Sequence, residues 1–132
     1  MTNPATGRAV VCVIDDDESV REALPDLLAE FGFATCAFAS AEEFLAFDAL
    51  GQTDCLVLDV AMPGMTGPEL QVELKRRAVG ISIVFITAQA DDTLCPRLIA
   101  QGAVACLRKP FSETILFEAV AAALARGGAA NS

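Results

Sequence analysis

At 132 residues, 54% of them hydrophobic, and with a mean hydropathy of +0.49, the chain has the length and composition for one domain with a proper core and is not disordered in its body. A net charge of −9 and the lack of an extended Lys/Arg cluster argue against direct nucleic-acid binding, and the acidity suits a cation site. Histidine is absent, which removes His-based catalysis and most transition-metal sites. No apolar run reaches bilayer-spanning length and MTNPATGRA carries no signal-peptide pattern, so we expect a soluble, cytoplasmic protein.

After a loose segment over 1–8, Ala9 to Ile14 reads as a first strand that ends on Asp15, Asp16 and Asp17. Ser19 to Phe31 has helical spacing, with Val20, Ala23, Leu24, Leu27, Leu28 and Phe31 on one face and Gly32 as the stop. Pro25 predicts a kink rather than two helices. Phe33 to Phe38 is a second strand, and Ser40 with Glu43 is a capping box opening a helix to about Leu50, with Phe44, Leu45 and Phe47 on its core face.

Cys55 to Leu58 is a four-residue apolar run ending on Asp59, the pattern of an interior parallel strand. A loop punctuated by Pro63, Gly64 and Gly67 leads to Pro68, which starts a helix to about Arg77. Ile81 to Ile86 is a fourth strand ending on Thr87 and Ala88. Asp91 or Asp92 is the expected cap of a short fourth helix ending near Gln101 and Gly102, weakened by Pro96. Val104 to Leu107 is a fifth strand ending on Arg108, Lys109 and Pro110. Ser112 caps a last Ala-rich helix to about Ala125, and 126–132 reads as a flexible tail. Five strands alternating with helices predict a doubly wound α/β parallel sheet with helices on both faces, a single domain over 9–125.

The five cysteines are odd in number and form no C-x-x-C pair, so neither a disulfide framework nor a zinc site is expected. Cys12, Cys36, Cys55 and Cys106 lie in apolar strand-like runs and read as small buried hydrophobes in a reducing compartment. Sensor cysteines need exposure and positive neighbours. Only Cys106, two residues from Arg108, and Cys95, two from Arg97, approach that, and redox control is not expected.

In a parallel sheet all the strand ends carrying Asp15, Asp16, Asp59, Thr87 and Lys109 share one edge, where open α/β sheets place their chemistry. Carboxylates crowded there repel and raise at least one pKa unless a hard cation with oxygen ligands intervenes. Mg²⁺ is the natural occupant. Such a site can hold a phosphoryl group in transit, with Lys109 neutralising its oxygens and Asp59, on the middle strand, attacking in line. The Thr87 hydroxyl can bond the product, and the small Ala88 leaves room for it.

The segments IDDDES (Ile14 to Ser19), LDVAMPGMTG (Leu58 to Gly67), FITA (Phe85 to Ala88) and LRKPF (Leu107 to Phe111) resemble, in order and spacing, the receiver domain of two-component response regulators, the CheY-like family. The resemblance covers about Val10 to Leu124 and implies the flavodoxin-like strand order 2-1-3-4-5. It implies that Asp59 takes phosphate from a histidine of a sensor histidine kinase or phosphotransfer protein. Asp16 and Asp59 would ligate Mg²⁺ directly, with the Ala61 backbone carbonyl, and Asp15 would act mostly through water. Thr87 would be the switch hydroxyl, Lys109 the phosphate-sensing cation, and the Lys109–Pro110 bond cis. A changed face of fourth helix, fifth strand and fifth helix would bind a partner or, in a phosphorylation-dependent homodimer, a second copy. Such a module assists only its own phosphorylation and dephosphorylation and is not an enzyme acting on other substrates.

Two positions depart from the family pattern. Cys106 stands where an aromatic residue or His is common, so signalling by an aromatic swing is not expected, and Pro96 predicts a shorter or distorted fourth helix. Three other readings are weaker. An aspartate-nucleophile phosphatase wants an acid two residues after the nucleophile, where this chain has Ala61. A flavin binder wants a phosphate-cradling loop where this chain has three aspartates. A degenerate receiver serving only as a docking module would lack site positions that are all present here. The chain is either a stand-alone receiver or the receiver part of a longer regulator.

Overall fold

The computed structural model describes residues 8–88 and 92–131, with side chains through Arg126. Most of the loose segment expected over 1–8, and the cap candidate Asp91, lie outside the described residues. Five parallel strands, β1 (Val10–Ile14), β2 (Ala34–Phe38), β3 (Cys55–Asp59), β4 (Ser82–Thr87) and β5 (Ala105–Arg108), form one sheet in the order β2-β1-β3-β4-β5. Five α-helices connect or follow them: α1 (Glu18–Glu30), α2 (Ala41–Leu45), α3 (Gly67–Arg76), α4 (Leu94–Ala100) and α5 (Glu113–Asn131).

Strand alternation splits the core into two layers. Cys12, Ile14, Leu56, Leu58, Ile83 and Phe85 face Ala41, Phe44, Leu70, Leu74, Leu94 and Leu98 of α2, α3 and α4. Val11, Val13, Cys55, Val57, Val84 and Ile86 face Leu24 and Leu28 of α1 and Leu116, Val120 and Ala123 of α5. β1 and β3 are buried along their whole length, which is why both read as unbroken apolar runs.

Helix α1 is one continuous helix through Pro25, and Asp17 caps it by accepting from the Ser19 N–H at 2.9 Å. Helix α2 ends at Leu45, five residues before the expected Leu50. The chain instead bends into a 3-10 turn over Leu50–Gln52, which returns Asp54 to β1, where its carboxylate accepts from the Val10 N–H at 2.8 Å. Ser40 accepts from the Glu43 N–H, and the full capping box lies at Thr66 and Glu69 on α3.

Helix α4 is short, at seven residues, as Pro96 suggested. Pro96 occupies its first turn, where a missing N–H leaves no intrahelical bond unmade. The expected Asp92 cap is not formed. Thr93 holds the N-cap position without a side-chain cap bond, and Asp92 instead pairs with Arg108 at 2.7 Å. Helix α5 continues past Ala125 to Asn131, since paired glycines weaken a helix without forbidding it.

The absence of a disulfide is the expectation the structure overturns. Cys95 and Cys106 are bonded, with S–S 2.03 Å and Cα–Cα 5.5 Å. Cys106 is half-buried rather than a core hydrophobe, because β5 is an edge strand and α4 packs back against it to bring Cys95 alongside. Cysteine spacing carries no trace of that packing. Cys12, Cys36 and Cys55 are free thiols, with Cys36 half-buried.

Candidate functional site

The carboxyl ends of β1, β3, β4 and β5 meet at one edge, each polar residue held there by the ladder behind it. Asp15 follows β1, completely buried, with its backbone N–H donating to the Phe38 carbonyl at 3.2 Å. One of its carboxylate oxygens accepts from the Asp17 N–H at 2.9 Å, and the other accepts from Lys109 Nζ at 2.9 Å. The Arg21 guanidinium donates to the Asp15 carbonyl at 3.0 Å, anchoring the loop to α1. Asp59 closes β3, the middle strand, and is 6% exposed.

Lys109 Nζ lies 3.6 Å from Asp59 Oδ1, so one amine bridges the ends of the first and third strands. Its backbone N–H donates to the Thr87 carbonyl at 2.8 Å, fastening the lysine to the end of β4. Thr87 is itself buried. The Lys109–Pro110 peptide is cis. Asp16 is exposed at the rim, and one carboxylate oxygen from each of Asp15, Asp16 and Asp59 falls within 4.8 Å of the others.

Burial and then the Asp15 charge push the Asp59 carboxyl up to about 7, against which Lys109 pulls only partly. Burial alone would lower the Lys109 pKa, but its hydrogen bond to Asp15 and the Asp59 charge outweigh it and raise it. A cluster of three hard oxygen donors that hold one of their number near neutrality is under-compensated in charge. Its donor set fits a small divalent cation.

Two supporting residues escaped the sequence reading. Gly67, read only as punctuation, packs so closely that a Cβ there would sit 2.4 Å from the Asp59 carbonyl oxygen and 3.0 Å from the Phe85 ring. Glu42 of α2 accepts from the Met65 N–H at 3.0 Å and so holds the loop that follows Asp59. Gly-Pro read as a helix start gave a partial signal for Gly67. Nothing local marks Glu42 among the acids of α2.

Fold and edge together define a doubly wound α/β domain with an acidic pocket at the switch point of its sheet. The chain belongs to the response regulator receiver domain family, whose model matches residues 11–121. Nodulation protein W of Bradyrhizobium diazoefficiens is 42% identical over 122 residues, 92% of this chain and 54% of that protein. Transcriptional regulatory protein FixJ of Azorhizobium caulinodans is 39% identical over 116 residues, 88% of this chain and 55% of that protein. The structure of response regulator StyR superposes with a TM-score of 0.86 at 42% identity, covering 94% of this chain and 63% of that one. The chain thus spans about half the length of the curated relatives it matches. No helix among the described residues is long and apolar enough to cross a membrane.

Proposed function

We propose that this receiver domain, over 9–125, accepts a phosphoryl group on Asp59 from a phosphohistidine of a sensor histidine kinase or phosphotransfer protein in the cytoplasm. The observation that carries the reading is the buried Asp59 carboxylate on the central strand, with Asp15 and Asp16 oxygens within 4.8 Å and Lys109 Nζ at 3.6 Å. Asp15, Asp16, Asp59 and the Ala61 carbonyl would hold Mg²⁺. Bound there, the ion supplies charge neutralisation for the phosphoryl oxygens.

An Asp59 carboxylate oxygen attacks phosphorus, the P–N bond to the imidazole breaks, and the ring, already protonated on its other nitrogen, keeps the electron pair and leaves as neutral imidazole. Lys109 moves its charge from the carboxylates toward the transferred group, and Thr87 donates its hydroxyl to a phosphoryl oxygen. The face of α4, β5 and α5 then changes its affinity for a partner or a second copy. The domain promotes its own phosphorylation and dephosphorylation and turns over no separate substrate. Three aspartates in the loop after β1, Asp15, Asp16 and Asp17, disfavour a nucleotide phosphate there, and Ala61 offers no general acid to a phosphatase.

The test is incubation with a small phosphodonor and Mg²⁺, followed by intact-mass and peptide mass spectrometry. One phosphate on wild type and none on Asp59→Ala is the expected result. A phosphate on another carboxylate, or turnover of a free phosphomonoester at enzyme-like rates, would overturn the assignment.

A further inference from the structure

The Cys95–Cys106 bond joins the second residue of α4 to the second residue of β5. Three residues on from Cys106 is Lys109, whose amine contacts both Asp15 and Asp59. Along the same strand Arg108 pairs in register with Thr87 and holds Asp92, just ahead of α4, at 2.7 Å. Helix α4 is therefore fastened to β5 twice, once covalently, and β5 leads directly into the phosphoryl-handling edge.

We propose that Cys95 and Cys106 are a reversible thiol–disulfide site whose oxidised state latches α4 to β5 and restrains the change of that face when Asp59 is phosphorylated. The latch rests on the phosphoacceptor reading above. The existence of the redox site does not.

Three observations favour a switch over a staple. The bond closes a separation of only 11 residues, most of it α4 itself and its turn into β5, so the loop entropy it removes from the unfolded chain is smaller than that of a bond joining distant elements. A domain with two filled core layers does not need it in order to fold. Finally, both bonded cysteines are half-buried rather than sealed in the core, whereas Cys12 and Cys55 are fully buried, each thiol pushed up to about 12 chiefly by that burial, and so inert.

The chemistry is thiol–disulfide exchange with a dithiol reductant. A reductant thiolate attacks one sulfur, the Cys95–Cys106 bond breaks, and the other cysteine leaves as thiolate and takes up a proton. The second reductant thiol then displaces the first cysteine, giving two protein thiols and an oxidised reductant, a balanced two-electron, two-proton exchange. A disulfide oxidant reverses it.

The full chain, purified without reductant, is unfolded and alkylated with and without prior dithiothreitol. Three labels are expected before reduction, on the free Cys12, Cys36 and Cys55, and five after it. Amide exchange of α4 is then followed as Mg²⁺ and beryllofluoride are added. The reduced chain should respond at least about fivefold more than the oxidised one, the low end of site-to-site couplings. Cys95→Ala and, separately, Cys106→Ala should respond like the reduced chain whether or not dithiothreitol is present. Circular dichroism shows that each variant is folded, and the dithiothreitol comparison on wild type needs no variant.

Five labels without reductant would overturn the site. An equal α4 response in both redox states would overturn the latch. No adduct at Asp59 in either redox state would overturn the phosphoacceptor reading and the latch with it, and the label count would then decide the redox site alone.

Discussion

Asp59 carries opposing demands at the scale of one residue, because a carboxylate poised to attack must be ionised, while burial and Asp15 hold it near neutrality at about 7. The folded value stands above the ordinary 3.8, so folding favours the protonated form. The associated stability is complete below about pH 4 and is lost as pH rises through about 7. Between pH 5.5 and 8 the ion-free wild type should therefore lose about 1–3 kcal/mol relative to Asp59→Asn, with Mg²⁺ restoring it in wild type alone. Denaturant melts of the two proteins check this, and parallel pH profiles would contradict it. Lys109→Ala leaves the fully buried Asp15 without its 2.9 Å donor, and should destabilise the domain by about 2–4 kcal/mol at pH 8. Less should be lost in an Asp59→Asn background, where one negative charge is already gone, and a full double-mutant cycle measures the difference. The strand-end residues Asp15, Asp59, Thr87 and Lys109 stood out in the sequence because a polar residue that stops an apolar run is conspicuous. Glu42 did not, because the amide it accepts from lies 23 residues away and nothing local distinguishes it from its acidic neighbours.

The loop between β3 and α3 shows how elements position the site. Gly67 opens α3 beneath the Asp59 backbone, and its N–H donates to the Val60 carbonyl at 3.0 Å. A Cβ there would meet the Asp59 carbonyl at 2.4 Å and the Val60 Cα at 3.1 Å, both backbone atoms that cannot rotate away. Gly67→Ala should therefore cost about 2–4 kcal/mol and also slow phosphorylation of whatever protein remains folded, because α3 is pushed off the strand that presents Asp59. Chemical denaturation and phosphodonor kinetics on one sample separate the two effects, and a variant with wild-type values for both would show that the approach is not needed. Element types were readable from periodicity, down to an α4 shortened at its proline, although its expected Asp92 cap did not form. Boundaries were less so where tertiary contacts decide them. α2 stops early because the chain must bring Asp54 back to Val10, and the α4–β5 bond depends on a helix docking onto an edge strand. Neither event leaves a mark on local composition.

For the whole molecule, alternating strands and helices were enough to read a doubly wound sheet, because the apolar runs of β1 and β3 fit only strands covered on both faces. The strand order itself came from family likeness, since nothing in periodicity says that β1 lies between β2 and β3. That order has an energetic consequence. β3 sits at the centre and gives Leu56 and Leu58 to one core layer, Cys55 and Val57 to the other, so neither layer can open without exposing the strand that ends in Asp59. Phe44 of α2 and Leu116 of α5 are fully buried on opposite faces. Phe44→Ala should cost about 3–5 kcal/mol and Leu116→Ala about 2–5 kcal/mol, each lowering the midpoint of one shared transition. If the sheet couples the layers in this way, far-ultraviolet dichroism and amide exchange at β3 will report the same midpoint in each variant, as two-state unfolding requires. Loss of α2 and its layer at a lower denaturant concentration than β3 in the Phe44→Ala variant would mean that the layers unfold independently, and that the site edge is held by the α1–α5 layer alone.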